Sequence, residues 1–210
     1  MSWFKKTTVL FAAMALALGQ AAFASSKTIN PVGIATVSKF YRDQYAAALF
    51  HHEGVSDPEI LINSGKPKRM VMVIRARQIP ARNFRMDWGL AVEINHQKHS
   101  DYKQVSLAGG GLEEFLAFPT LLPDEKLYKN DVLTVELIRS KKSGNLNTLI
   151  KLNDKYVVAK KGARLFRVLL RCWLGKKPPS EDFKNHILGK QKNPKFDQLL
   201  PLFNRAKPSV

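Results

Sequence analysis

The chain has 210 residues, with 34 Lys and Arg against 17 Asp and Glu and a formal net charge of +17. At 45% hydrophobic and 24% charged residues the composition is that of an ordinary globular protein, which excludes a collagen-like rod, a disordered tail protein and a multi-span membrane protein. A single cysteine, Cys172, excludes an intramolecular disulfide and a thiolate-based structural zinc site.

Residues 1–24 carry Lys5 and Lys6, then the apolar stretch Val9–Leu18, then Ala22-Phe23-Ala24. A positive start, a short apolar stretch and a small-x-small site are the three parts of a secretory signal. The apolar stretch falls short of the roughly 20 residues that span a bilayer. The mature protein is therefore expected to begin near Ser25 and to be soluble in the periplasm, with Cys172 buried away from oxidants. Positive charge is concentrated late. Residues 139–210 hold 18 Lys and Arg against four acids, whereas residues 25–138 hold 14 against 13.

In chain order, Ile34–Tyr41 and Tyr45–Phe50 are apolar-rich runs able to pair as strands about Arg42-Asp43. A short apolar run, Glu59–Ile62, lies between the breakers Asp57-Pro58 and Ser64-Gly65-Lys66-Pro67. Arg69–Arg75 has strand length and composition. From Ala81 the period changes: Phe84, Trp88, Ala91 and Asn95 predict an amphipathic helix of about four turns. Gly109-Gly110-Gly111 precedes a second helix over Leu112–Leu122, ended by Pro119 or Pro123. Val132–Arg139 alternates as a strand, and Asn153-Asp154-Lys155 predicts a tight hairpin between Leu146–Leu152 and Tyr156–Ala159. Ala163–Leu174 predicts a helix stopped by Gly175. Ser180 caps the next one, which ends at Gly189. Residues 190–210 form a basic tail holding the apolar patch Phe196–Phe203. Hairpin-linked strands with grouped helices predict an α+β fold.

His96 and His99 have metal-compatible spacing but no third ligand beyond Asp101, so no metal site is assigned. The triple glycine lacks the Gly-Lys-Ser/Thr of a phosphate cradle, and no serine has the context of a hydrolase nucleophile. On the Ala163–Leu174 helix, Arg164, Arg167 and Arg171 share one face. With Lys176 and Lys177 they form a candidate patch for an anionic membrane or polysaccharide surface. Export leaves no physiological nucleic acid as a partner.

Val32-Gly33, Lys39-Phe40 and Tyr45–Phe50 resemble the opening strands of the chalcone isomerase fold. Leu127–Arg139 and the Leu152–Val158 hairpin resemble later elements of its bacterial chalcone isomerase-like members. Phe166–Gly189, containing Trp173-Leu174-Gly175 and Pro178-Pro179-Ser180, is similar to the family's most specific motif. The resemblance covers about residues 30–189. It implies an open-faced antiparallel β-sheet with helices packed on one side, a ligand cleft between the layers and no cofactor.

The enzymes of that family stabilise a developing oxyanion. They do so with an Arg ahead of the Lys-Phe element, a Thr, a Tyr and an Asn. Here Ile34, Ala35, Thr36 and Val37 stand where the Arg belongs, Tyr45 lies at or near the Thr position, and Phe84 and Ala91 fall at the Tyr and Asn positions. Cys172 and Trp173 occupy the specificity-setting pair. The resemblance thus implies a non-enzymatic protein, with no catalytic residues, that binds a small apolar or amphipathic ligand such as a fatty acid. Its candidate lining is Tyr45, Phe84, Trp88, Cys172 and Trp173, with Arg42 or Arg75 replacing the missing arginine. The rival readings are an envelope protein that binds anionic surfaces through its basic last third, and a cofactor-independent isomerase or lyase.

Overall fold

A computed structural model describes residues 30–39, 41–51, 54–96 and 100–206. Residues 1–24 with the expected leader, Phe40 of the Lys-Phe element and His99 lie outside the described residues. Six strands form one antiparallel sheet in the order β1-β2-β3-β6-β7-β8: β1 (Gly33–Lys39), β2 (Arg42–His51), β3 (Lys68–Ile74), β6 (Val132–Arg139), β7 (Leu146–Leu152) and β8 (Lys155–Lys161). A separate two-stranded ribbon joins β4 (Gln78–Pro80) to β5 (Lys126–Tyr128). The β7–β8 turn has positive φ at both Asn153 and Asp154, the geometry that follows the twist of a two-residue hairpin.

The strand alternation read from the sequence divides the sheet into two apolar faces. Ala47, Leu49, Met70, Met72, Leu133, Val135 and Ile150 point to the helices. Ile34, Ala46, Ala48, Phe50, Val71 and Val73 point the other way. The long excursion from β3 to β6 supplies α2 (Ala81–His96), α3 (Ser100–Ser106) and α4 (Leu112–Ala117). After β8 come α5 (Arg164–Leu174) and α6 (Glu181–Ile187). The run at 59–62 is also helical: α1 (Pro58–Asn63), whose Asp57 side chain accepts from the Ile60 N–H at 2.9 Å.

Three expectations change. The helix predicted over Leu112–Leu122 stops at Ala117 and continues as a 3₁₀ turn, Phe118–Leu121, because Pro119 has no N–H to extend the α ladder. The helix α3 was not anticipated; only Val105 of its residues is buried, too little to make a readable apolar period. And the apolar patch in the basic tail is structural: α7 (Phe196–Leu199) and the 3₁₀ segment Leu200–Ala206 lay Leu199 and Phe203 on the second sheet face. Asn193 ties this segment down by donating from Nδ2 to the Ile34 carbonyl at 3.1 Å.

Gly33 admits no side chain. A Cβ there would stand 2.0 Å from the His186 carbonyl oxygen, so its absence lets the end of α6 close over β1. At the tail, Phe203 is fully buried. Phe203→Ala is expected to lower stability by about 3–5 kcal/mol. Urea unfolding checks this, and a loss below about 1 kcal/mol would mean that the tail is not part of the folded unit.

Candidate functional site

α5 runs across the helix side of the sheet with nine of its eleven residues buried. Its neighbours are bolted to it by polar contacts. Arg167 makes a bidentate pair with Asp101 of α3 at 2.7 and 2.9 Å. Arg171 reaches Glu59 of α1 at 2.8 and 3.1 Å. His96 at the end of α2 shares a hydrogen bond of 2.7 Å between Nε2 and the Val168 carbonyl, which places the ring proton on Nε2. His96 is therefore a structural residue here. Among the described residues no three His, Cys, Asp or Glu side chains gather as a metal site.

These pairs engage two of the five cations of the expected anionic-surface patch. Arg167 and Arg171 are partly or largely buried and neutralised by carboxylates, and Arg164 lies 3.9 Å from Asp101. The acids come from 66 and 112 residues away, where a local count of charge does not see them. Lys176 and Lys177 remain exposed, on the loop after α5.

Between α2, the β1–β2 end of the sheet and the C-terminal end of α5 lies a cavity of about 280 Å³. That is close to the lower bound of roughly 300 Å³ for small-molecule sites. Of the expected lining residues, Tyr45, Phe84, Trp88, Cys172 and Trp173 all border it. Arg42 and Arg75 do not. Arg42 is exposed at the start of β2, beyond the irregularity in its pairing with β1, and Arg75 follows the end of β3. Neither arginine replaces the missing one inside the cleft. Phe84 and Ala91, the positions where the family's enzymes carry Tyr and Asn, do line the cavity and present hydrocarbon to it.

The floor is apolar with two neutral polar groups. The Tyr45 ring stacks on Trp173, with centroids 6.4 Å apart and planes at 20°. Burial pushes the Tyr45 phenol up, outweighing the opposing pull of the neighbouring Trp173 N–H, so the hydroxyl stays protonated. The Trp173 Nε1 is itself buried and completes no well-aligned hydrogen bond. Burial likewise pushes the Cys172 thiol up, and its Sγ donates to the Val168 carbonyl at 3.6 Å; it is not a nucleophilic thiolate. Charge appears only at the mouth, where Lys39 pairs with Asp87 at 2.7 Å and Lys177 is exposed.

The sequence reading overlooked the residue that shapes that mouth. Asn95 donates from Nδ2 to the Lys177 carbonyl at 2.9 Å and accepts from the Lys177 N–H at 3.0 Å, a reciprocal pair that fixes the loop at one wall. Gly175 permits this approach, since a Cβ would stand 2.5 Å from Asn95 Oδ1. Its signal was present: Asn95 is a polar residue on the periodic, inward side of a predicted helix.

With this geometry in place, the chain belongs to the chalcone isomerase-like family, whose pattern matches residues 16–189. Among solved structures it is similar to a fatty-acid binding protein of Arabidopsis thaliana, with a TM-score of 0.55 and 12% identity over 81% of this chain and 91% of that one. The likeness is one of fold. No curated protein matches the sequence.

The Arg167 hydrogen bonds hold the Asp101 carboxyl below its usual range, against a smaller opposing effect of burial. A group whose pKa is lowered by folding stabilises the fold above its unfolded pKa and loses that contribution as pH falls through the folded value. Asp101→Asn is expected to cost about 1–2 kcal/mol at neutral pH. The gap between native protein and variant should narrow on acidification below about pH 4. Thermal melts across that range check it; a gap that widens in acid would contradict the assignment.

Proposed function

We propose that the protein is a non-enzymatic carrier or sensor that holds one small apolar or amphipathic molecule in the cavity under α2. The observation that carries this reading is the lining itself: a largely apolar wall, two neutral donors at the floor, the amides of Gln44, Gln78 and Asn83, and ions at the mouth. Such a floor favours an uncharged acceptor oxygen, because a carboxylate brought there would lose its hydration without meeting a cation. A fatty acid, the ligand class of the plant structure with the same fold, fits best with its chain inside and its carboxylate beside Lys39 and Lys177.

Isomerase chemistry is disfavoured at the two positions where the resemblance places the enzymes' Tyr and Asn. Closure of a ring through an oxyanion needs oriented donors or a cation at the reacting oxygen, and Phe84 and Ala91 supply neither. A chalcone cyclisation assay is expected to run at the rate of buffer. Export is part of the proposal and rests on residues 1–24. Protein recovered from the periplasm of a Gram-negative host should begin near Ser25, and a retained leader would contradict it.

Titration with a fluorescent fatty acid analogue tests the binding reading. Native protein should bind it saturably, one per chain. Ala91→Phe, which fills the cavity from its wall, should weaken binding by at least about tenfold, equivalent to about 1.4 kcal/mol. Tyr45→Phe should weaken displacement by ligands with an acceptor oxygen by roughly three- to tenfold, the value of one neutral hydrogen bond. Saturable binding that ignores Ala91→Phe would place the ligand elsewhere.

A further inference from the structure

We propose that the exposed ridge of α2 docks on an anionic lipid bilayer and that the cavity is loaded through it; this rests on the binding reading above. Met86, Leu90 and Ile94 recur every fourth residue, so they line one side of the helix. They are 59%, 60% and 49% exposed. Scattered apolar residues are normal on a protein surface, but three large ones on successive turns form a contiguous strip.

The strip is continuous with the cavity. Leu90 and Ile94 belong both to the ridge and to the cavity lining, and Pro178 and Pro179 border the cavity across the mouth. An apolar molecule leaving a bilayer beneath this ridge would pass Leu90 and Ile94 on its way to the floor at Trp173. Burying such a strip at the headgroup boundary is the binding mode of an interfacial helix.

Charge favours an anionic leaflet. The groups around the ridge are mixed: Asp87 is paired with Lys39, Arg85 with Glu113 at 2.7 Å, and Arg82 and Glu93 stand exposed on α2. Lys176 and Lys177 add two cations on the loop across the mouth, and residues 25–210, the expected mature chain, carry +15, which draws the protein to negative membranes. Local charge near the ridge is thus close to balanced, so apolar insertion holds the protein while the overall charge steers it. A second copy of this chain is a poorer occupant, since three side chains offer far less than the roughly 800 Å² per partner of a stable interface.

The test is co-sedimentation with vesicles of phosphatidylcholine alone and of phosphatidylcholine and phosphatidylglycerol in equal parts, run beside titration with the fluorescent fatty acid analogue in vesicle-free buffer. Met86 lies on the ridge but outside the cavity lining. Native protein should bind the mixed vesicles more strongly than the neutral ones. Met86→Glu should reduce that binding by about tenfold, the effect of keeping one large apolar side chain out of the bilayer, with analogue binding in buffer unchanged. Native protein that binds the analogue but no vesicle overturns the docking proposal and leaves the cavity reading intact. Vesicle binding unaffected by Met86→Glu overturns it as well, as does a dimer dispersed by that substitution. Failure to bind the analogue at all is a failure of the cavity reading instead.

Discussion

The helical layer is organised around one buried helix. α5 is largely enclosed: its apolar side chains pack on the sheet and under α2, two of its arginines are bound by carboxylates, and of its residues Arg164 alone is exposed. A buried arginine is tolerable only when its charge is paired and its donors are used. Glu59 and Asp101 are therefore conditions for α5 to sit where it does. Losing either acid would leave a cation without its partner at the centre of the layer, which costs more than the pair itself contributes. Because α1 and α3 bring those acids, the position of α5 and the positions of its neighbours determine one another.

The cavity follows from that arrangement. The last turn of α5 places Cys172 and Trp173 against β2, where Ala46, Ala47 and Ala48 keep both faces of the strand low. α2 is held at its end by His96 and along its length by the aromatic group of Phe84, Trp88, Phe115 and Phe118. What remains between α2 and the sheet is a gap walled mainly by uncharged side chains, with Lys39, Asp87 and Lys177 at the rim. A site of that kind selects by shape and by hydrocarbon contact.

The strands were legible because alternation is a local signal: both faces of β2, β3 and β6 can be read from single residues. The long amphipathic period of α2, the stop at Gly175 and the Ser180 cap were local too, and the cap is present, with Ser180 accepting from the Phe183 N–H at 3.0 Å. The family resemblance named five of the cavity's lining residues. What could not be read is whatever depends on partners distant in sequence. The three arginines of α5 look like a free basic face until Asp101 and Glu59 arrive from other elements. Arg42 and Arg75 were drawn toward the cleft by the need for a cation, and nothing local in either run shows that they stop short of the cavity lining. The tail showed its apolar patch plainly, but nothing in a single chain says that the patch covers the second face of the sheet.

The central claim is that the cavity holds a ligand and does not process it. Native mass spectrometry of the purified protein, followed by denaturation and identification of whatever is released, addresses it directly. The account predicts one apolar or amphipathic molecule per chain, recovered chemically unchanged after incubation with the protein. A protein that stays empty when offered such molecules, or one that returns them altered, would contradict it.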